Sequence, residues 1–153
     1  MENTSDKKLC RHCNVPLKVE EKWLLELPAV YSLGFQYPDI DCQMDRPELT
    51  RLWGLLPPKL DLKKFMKVTM DEGKPTCTQY VLRGLIVYYG RHYWAYFYSQ
   101  KFDRWYQFND ERLSEIGNWK AVIDKSVLSR CIPRTAFYER QDIIVNFLTE
   151  GGL

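Results

Sequence analysis

Three β-rich runs between residues 80 and 110 constrain the fold of this chain more than any other part of it. The runs are Tyr80–Tyr89, His92–Ser99 and Arg104–Phe108, and breaks of two and four residues separate them. Short polar or glycine-containing breaks between β-rich runs are typical of antiparallel hairpins. The sequence therefore predicts three antiparallel strands that lie side by side in chain order.

The segments on either side of these strands predict a domain of the α+β class. Apolar residues recur at helical spacing in Pro47–Leu56 and in Trp119–Arg130, which predicts two short amphipathic helices. Further strands are predicted at Val15–Glu20, Ala29–Phe35, Leu60–Met70 and Ile132–Tyr138, and a bend within Leu60–Met70 stays open. We expect an antiparallel sheet of about six strands with two short helices.

The limits of the domain follow from local composition. Residues 1–9 are polar and charged, so we expect a disordered lead-in there. Residues 10–140 form the predicted domain, with a glycine-containing connection at Glu111–Asn118, and residues 141–153 form a tail. The apolar pattern of the tail fits both a short docking helix and an edge strand, and both alternatives stay open.

Composition argues against several classes of function. The 153 residues carry a net charge of +2 with acids and bases interspersed, so no basic stripe predicts nucleic-acid binding. No apolar run approaches the roughly 20 residues that a membrane span needs.

An odd number of cysteines and a polar start without a signal peptide predict reduced thiols in the cytosol or nucleus. The oligomeric state does not follow from these features.

Cys10 and Cys13 have the spacing of a zinc knuckle. Two thiolates at this spacing can reach one Zn²⁺ ion from a tight turn, but a structural zinc site needs four ligands. His12 lies between the two cysteines, and no second C-x-x-C pair follows. The pair is therefore half of a zinc site completed outside this chain, or a chance pair of thiols. A redox motif is less favoured because no βαβ pattern surrounds it.

His92, Asn109 and Asp110 are the candidate chemical residues. His92 opens the second strand and the other two close the third, so neighbouring antiparallel strands bring them to one end of the sheet. A histidine beside an Asn or Asp is the base and the orienting residue of a nucleophilic site. A hydrogen-bonded structural histidine fits the same pattern. The nucleophile has to come from elsewhere.

Two motifs in this stretch resemble the histidine box of the ubiquitin-specific proteases, which are papain-like deubiquitinases. GRHY at residues 90–93 is similar to the first part of that box, and WYQFND at residues 105–110 is similar to the second. LLELPAVYSLGF at residues 24–35 resembles the strand that leaves the zinc-ribbon fingers of these enzymes. Cys10 and Cys13 stand where the second zinc-ligand pair of the family stands.

The resemblance implies the palm-like part of a papain-like cysteine protease fold, whose activity is thiol-dependent hydrolysis of ubiquitin isopeptide bonds. It implies His92 as the general base and Asn109 as the residue that orients the imidazole. Tyr93 and Asp110 would lie beside the channel for the ubiquitin tail, so the implied partner is ubiquitin or a ubiquitinated protein. No cofactor is implied for catalysis, and a structural zinc half-site is implied at Cys10 and Cys13.

Two departures from the family pattern bear on activity. The family's cysteine box, which supplies the nucleophile, has no counterpart in this sequence. Arg91 stands between Gly90 and His92, where active members have glycine directly before histidine, and this order most resembles a subgroup regarded as inactive. We therefore expect no catalysis by this chain alone. The alternatives are a non-catalytic ubiquitin-binding or scaffold protein, and an unrelated β-rich domain with a structural His/Asn pair.

Overall fold

The computed structural model describes residues 12–15, 23–37, 44–68 and 73–143. The strands in these residues are β1 (Trp23–Leu24), β2 (Val30–Gly34), β3 (Lys59–Asp61), β4 (Lys67–Val68), β5 (Gln79–Tyr89), β6 (His92–Ser99), β7 (Arg104–Asn109), β8 (Arg112–Gly117) and β9 (Ile132–Arg140). The α-helices are α1 (Arg46–Gly54) and α2 (Trp119–Leu128). The predicted lead-in at 1–9, residues 16–20 of the first predicted strand and the tail after residue 143 lie outside the described residues.

Seven of the described strands form one antiparallel sheet, which confirms the predicted α+β class. Six of them lie in the order β2-β9-β5-β6-β7-β8. One edge of β5 pairs with β9 and the other with β6. The short strand β3 pairs with the first residues of β5, beyond the end of β6. Separately, β1 and β4 form a two-stranded parallel pair.

The two helices contribute to a core that lies on one face of the sheet. Trp53 of α1 and Val122 of α2 are fully buried, and burial of a side chain of this size stabilises a fold by about 1.5–3 kcal/mol. The buried strand residues of the same cluster include Tyr80, Leu85, Val87, Tyr96, Ala136 and Tyr138. The opposite face of the sheet is open, with Phe97 and Phe108 both more than two-fifths exposed (41% and 46%).

Polar atoms of the core aromatic residues bond to backbone carbonyls of the connecting segments. The Tyr80 hydroxyl donates to the carbonyl oxygen of Pro28 at 2.6 Å. The Trp53 indole N–H donates to the carbonyl oxygen of Cys131 at 2.9 Å. A buried donor without a partner is unfavourable, so these bonds let large aromatic side chains enter the core without that penalty. They also hold the connecting segments against the sheet.

Both helices begin with the side-chain caps that the sequence supplies. Asp45 and Glu48 form a capping box at α1, in which each side chain accepts a hydrogen bond from the other residue's backbone N–H. Asn118 caps α2, and its Oδ1 accepts from the backbone N–H of Ala121 at 3.0 Å. The two predicted helices are confirmed, and each ends two residues earlier than predicted.

The connection predicted at Glu111–Asn118 is mainly a strand that was not predicted. This segment contains β8, which pairs with β7 from Asn109 and Arg112 onwards. A two-residue turn at Asp110 and Glu111 sends the chain straight back beside β7, so the backbone groups of β8 find partners. Most of its side chains are exposed, and therefore no alternation of buried and polar residues indicated a strand.

The strand predicted at Leu60–Met70, for which a bend stayed open, is not continuous. Its described part divides into β3, a 3₁₀ turn at Leu62–Lys64 and β4. The Asp61 side chain accepts a hydrogen bond from the backbone N–H of Lys63 at 3.1 Å and so caps the turn. A local side-chain cap of this kind competes with the pairing of an extended strand.

Candidate functional site

The turn between β5 and β6 places His92 at one end of the sheet. Tyr89 pairs with His92, so Gly90 and Arg91 form a two-residue turn. Their φ angles are 58° and 68°, and positive φ at both positions is the geometry of a type I′ hairpin turn. Glycine adopts this conformation readily, whereas for a residue with a Cβ it costs roughly 1–2 kcal/mol. Arg91 is therefore a strained residue directly before His92.

His92 and Asn109 lie within hydrogen-bond distance of each other. His92 Nε2 is 2.7 Å from Asn109 Oδ1. Ala95 pairs with Phe108, and because side chains alternate along a strand, His92, Trp94 and Asn109 share the other face of the sheet. That face is the one that carries the core. The predicted proximity of His92 and Asn109 is therefore confirmed.

This contact determines which nitrogen of the imidazole carries the proton. An amide oxygen only accepts hydrogen bonds, so Nε2–H donates to Asn109 Oδ1 and the neutral ring keeps its lone pair on Nδ1. Within the described parts of the chain, no group hydrogen-bonds to His92 Nδ1. A lone pair without a protein partner is available to accept a proton from an incoming thiol. The arrangement can therefore act as a general base held in place by an amide.

Asp110 and Tyr93, the other two candidate residues, are placed differently from this pair. Asp110 Oδ2 lies 3.9 Å from His92 Nε2, and its side chain is 78% exposed, so solvent screens the interaction. The Tyr93 ring lies on the opposite face of the sheet, with its centroid 4.7 Å from that of Tyr88. The structure thus brings Asp110 to the edge of the His92–Asn109 pair and does not bring Tyr93 to it.

Trp94 contacts His92, although the sequence analysis did not identify it. The two ring centroids are 5.8 Å apart, and the ring planes differ by 29°, which is a stacked arrangement. Trp94 follows His92 by two positions on the same strand, so both side chains lie on one face. This period of two was the signal in the sequence that could have indicated the contact.

The Cys131 thiol is buried although it lies near the His92 end of the sheet. Cys131 directly precedes Ile132, which pairs with Tyr88 close to the turn. Its side chain is fully buried, and its Sγ lies 3.5 Å from the carbonyl oxygen of Ser126. Burial raises the pKa of this thiol to about 12. A buried, protonated thiol of this kind is chemically inert.

The other cysteines do not meet His92 in the part of the chain that the structure describes. Cys77 precedes β5 at the end remote from His92, and a strand of 11 residues spans about 35 Å. Cys13 is exposed in the short described segment 12–15. Cys10, its predicted partner in a zinc half-site, lies outside the described residues, as does Cys42.

The described residues lack the features of two other kinds of site. They contain no group of three or more His, Cys, Asp or Glu side chains that could hold a metal ion. None of their helices combines the length and the apolar character that crossing a membrane requires.

Comparison with known proteins identifies similar sequences. The family model for ubiquitin carboxyl-terminal hydrolase matches residues 35–136, more than half of the chain. Ubiquitin carboxyl-terminal hydrolase 54 of Rattus norvegicus and of Mus musculus is 36% identical over 75 residues, which is 48% of this chain and 5% of either relative. Ubiquitin carboxyl-terminal hydrolase 53 of Homo sapiens is 28% identical over 149 residues, which is 92% of this chain and 13% of that protein. The chain therefore spans only a small part of the length of the curated relatives it matches.

Proposed function

The chain belongs to the ubiquitin carboxyl-terminal hydrolase family, and we propose that it supplies the base and the orienting residue of a ubiquitin-directed thiol protease site. The observation that carries the proposal is the 2.7 Å contact between His92 Nε2 and Asn109 Oδ1. It leaves Nδ1 with the lone pair that a general base needs.

In the proposed reaction, His92 Nδ1 takes the proton of a cysteine thiol. The thiolate then attacks the carbonyl carbon of the isopeptide bond after the last glycine of ubiquitin, and the imidazolium returns the proton to the leaving amine. Asn109 keeps the ring in one orientation through both proton transfers. Water hydrolyses the resulting thioester, with His92 again acting as the base.

We propose that the nucleophile is none of the cysteines in this sequence, so the chain does not hydrolyse ubiquitin conjugates by itself. The burial of the Cys131 thiol and the remote position of Cys77 support this. Losing the nucleophile removes the covalent route even where the base is correctly placed.

A second candidate function is non-catalytic binding of ubiquitin or a ubiquitinated protein. The exposed Arg91 side chain in the strained turn favours it, because a bulky cation directly before His92 would narrow a channel that accepts a Gly-Gly tail. In both proposals the partner is ubiquitin or a ubiquitinated protein.

The proposed compartment is the cytosol or nucleus, where thiols stay reduced. The free thiols of Cys13, Cys77 and Cys131 agree with it. A zinc half-site at Cys10 and Cys13 is part of the proposal, and it would need further ligands from outside this chain. Metal analysis of the purified chain should therefore find substoichiometric Zn²⁺.

Two measurements on the purified chain test the proposed function. A ubiquitin probe with a C-terminal electrophile should form no covalent adduct, whereas an adduct that maps to one cysteine would show that the chain carries its own nucleophile. Titration of ¹⁵N-labelled ubiquitin with the chain should shift the resonances of the ubiquitin tail. The matched control is ubiquitin truncated before its final Gly-Gly. Unchanged binding of the truncated form would favour a scaffold role, and no binding of either form would contradict both candidates.

A further inference from the structure

His92 is held by two different contacts on its ring. Asn109 meets the edge of the imidazole at Nε2, and the Trp94 indole covers one of its faces. The His92 side chain is 44% exposed, so without these two contacts the imidazole could change rotamer. An ordered side chain gives up conformational freedom, and packing against a flat neighbour limits the rotamers that remain.

The other edge of the Trp94 indole, which carries its nitrogen, is buried. Trp94 Nε1, the Tyr96 hydroxyl and the Ser126 hydroxyl are buried, and none of them has a partner in good hydrogen-bond geometry within the described chain. Burial raises the pKa of the Tyr96 hydroxyl, and interactions with the Trp94 indole and the Ser126 hydroxyl lower it. The Tyr96 hydroxyl therefore lies near both the Trp94 indole and the Ser126 hydroxyl of α2.

Packing against the core gives the indole a defined orientation. Trp94 is partly buried against the core cluster, and its Nε1 is fully buried. A flat ring packed in this way presents a face of constant direction to His92. The β6–β7 register supports the same geometry, since Trp94 and Asn109 both project from the face that carries His92.

We propose that Trp94 is a positioning residue for His92: its indole holds the imidazole in the one plane in which Nε2 meets Asn109 and Nδ1 stays open. The inference rests on the proposed function of His92 as a general base. Trp94 touches neither the substrate nor the reacting thiol in this account, and it acts only through the orientation of the imidazole.

The experiment is imidazole ¹⁵N NMR of the whole chain, which reports the protonated nitrogen of each ring. The sequence has only two histidines, and His12→Gln assigns the His92 signals. The variants are Trp94→Phe, which keeps a flat ring, and Trp94→Leu, which keeps apolar bulk without a π face. Trp105→Leu is the matched control, because Trp105 is a core tryptophan of the next strand that does not stack on His92.

The wild-type chain should show the single tautomer with Nε2 protonated. Trp94→Leu should lose this single-tautomer spectrum and move towards the mixture of a free histidine, whereas Trp94→Phe should retain it. Trp105→Leu should lower the melting temperature without changing the His92 spectrum. An unchanged His92 spectrum in a folded Trp94→Leu variant overturns the inference but leaves the proposed function intact. A wild-type ring protonated at Nδ1 would instead contradict the proposed function itself.

Discussion

His92 Nε2 lies 2.7 Å from Asn109 Oδ1, although the two residues are 17 positions apart in the chain. Two connections create this contact. The Gly90-Arg91 turn fixes where β6 begins, and the loop after Ser99 fixes its register with β7. Because side chains alternate between the faces of a strand, a slip of one residue would send Asn109 to the opposite face. The candidate site therefore depends on the register of the sheet.

Replacement of Asn109 should release the imidazole from its single tautomer. In Asn109→Ala the acceptor of the Nε2 proton is lost, which should also lower the free energy of unfolding by about 1 kcal/mol. Asn109→Asp keeps an acceptor oxygen and should keep Nε2 protonated. Imidazole ¹⁵N spectra and urea denaturation measure the two effects. A wild-type spectrum in Asn109→Ala would mean that the contact does not hold the ring.

Relief of the strained turn should stabilise the chain. Arg91 has a φ of 68°, and glycine adopts this conformation without a Cβ clash, so Arg91→Gly should raise the free energy of unfolding by about 0.5–1 kcal/mol. Arg112→Gly is the matched control, because Arg112 lies in a regular strand, where glycine is unfavourable by a similar amount. Denaturant midpoints compare the two variants. Equal destabilisation by both would contradict the turn geometry.

The open face of the sheet should be intolerant of a side chain at Gly84. A Cβ added there would lie 2.3 Å from Cε1 of Phe97, whose ring lies between those of Phe108 and Phe137. Gly84→Ala should therefore destabilise the fold by about 1–3 kcal/mol through overpacking.

A double-mutant cycle with Phe97→Ala isolates this steric term. The cost of Gly84→Ala should largely disappear in the Phe97→Ala background, because the two residues are in direct contact. Gly34→Ala is the control, since an added Cβ there meets nothing within 4 Å. Strictly additive effects of Gly84→Ala and Phe97→Ala would show that the cost does not come from the contact between them.

The fold should lose stability in alkaline solution. Burial raises the pKa of Cys131 from 9.0, and those of Tyr80 and Tyr138 from 10.0, each to about 12. The unfolded chain releases these protons near the ordinary values while the folded chain holds them. Their contribution to stability is therefore fully present below about pH 9 and is lost as the pH rises towards 12.

Urea denaturation across this pH range measures the loss. Tyr138→Phe should weaken the fold at neutral pH, because the bond from its hydroxyl to the carbonyl of Pro57 is lost, and should show a shallower decline with rising pH. Tyr89→Phe, at an exposed position, should decline as steeply as the wild type. Stability independent of pH between 8 and about 11 would contradict the burial of these groups.

The sequence predicted the parts of this fold that local chemistry determines. Apolar residues at helical spacing indicated both helices, and short breaks between β-rich runs indicated the hairpins that bring His92 to Asn109. The strand β8 was not predicted, because its exposed side chains carry no burial pattern. The alternation along β5 also changes phase at Arg83, where the pairing with β9 has an irregularity. Both the strand β8 and the irregularity in β5 depend on pairing with neighbouring strands. The spacing of apolar residues within one segment therefore does not reveal them.

The contact of Trp94 with His92 was missed for a related reason. Aromatic residues fill β6, and their number indicates a buried strand without showing which ring touches the histidine. The spacing of two places Trp94 on the same face as His92, but it does not give the distance or the tilt between the two rings. Those depend on how the neighbouring strands β5 and β7 pack around them.

The central claim is that His92 acts as the general base of a thiol protease site and that Asn109 orients it. A chimeric protease tests this claim most directly. In an active ubiquitin-specific protease, residues 79–117 of this chain would replace the corresponding histidine-box segment, and kcat would be measured on a fluorogenic ubiquitin substrate. We predict turnover that falls about 10²–10⁴-fold on His92→Ala and is also lowered by Asn109→Ala. A folded chimera that binds ubiquitin but turns over no faster than its His92→Ala variant would contradict the claim.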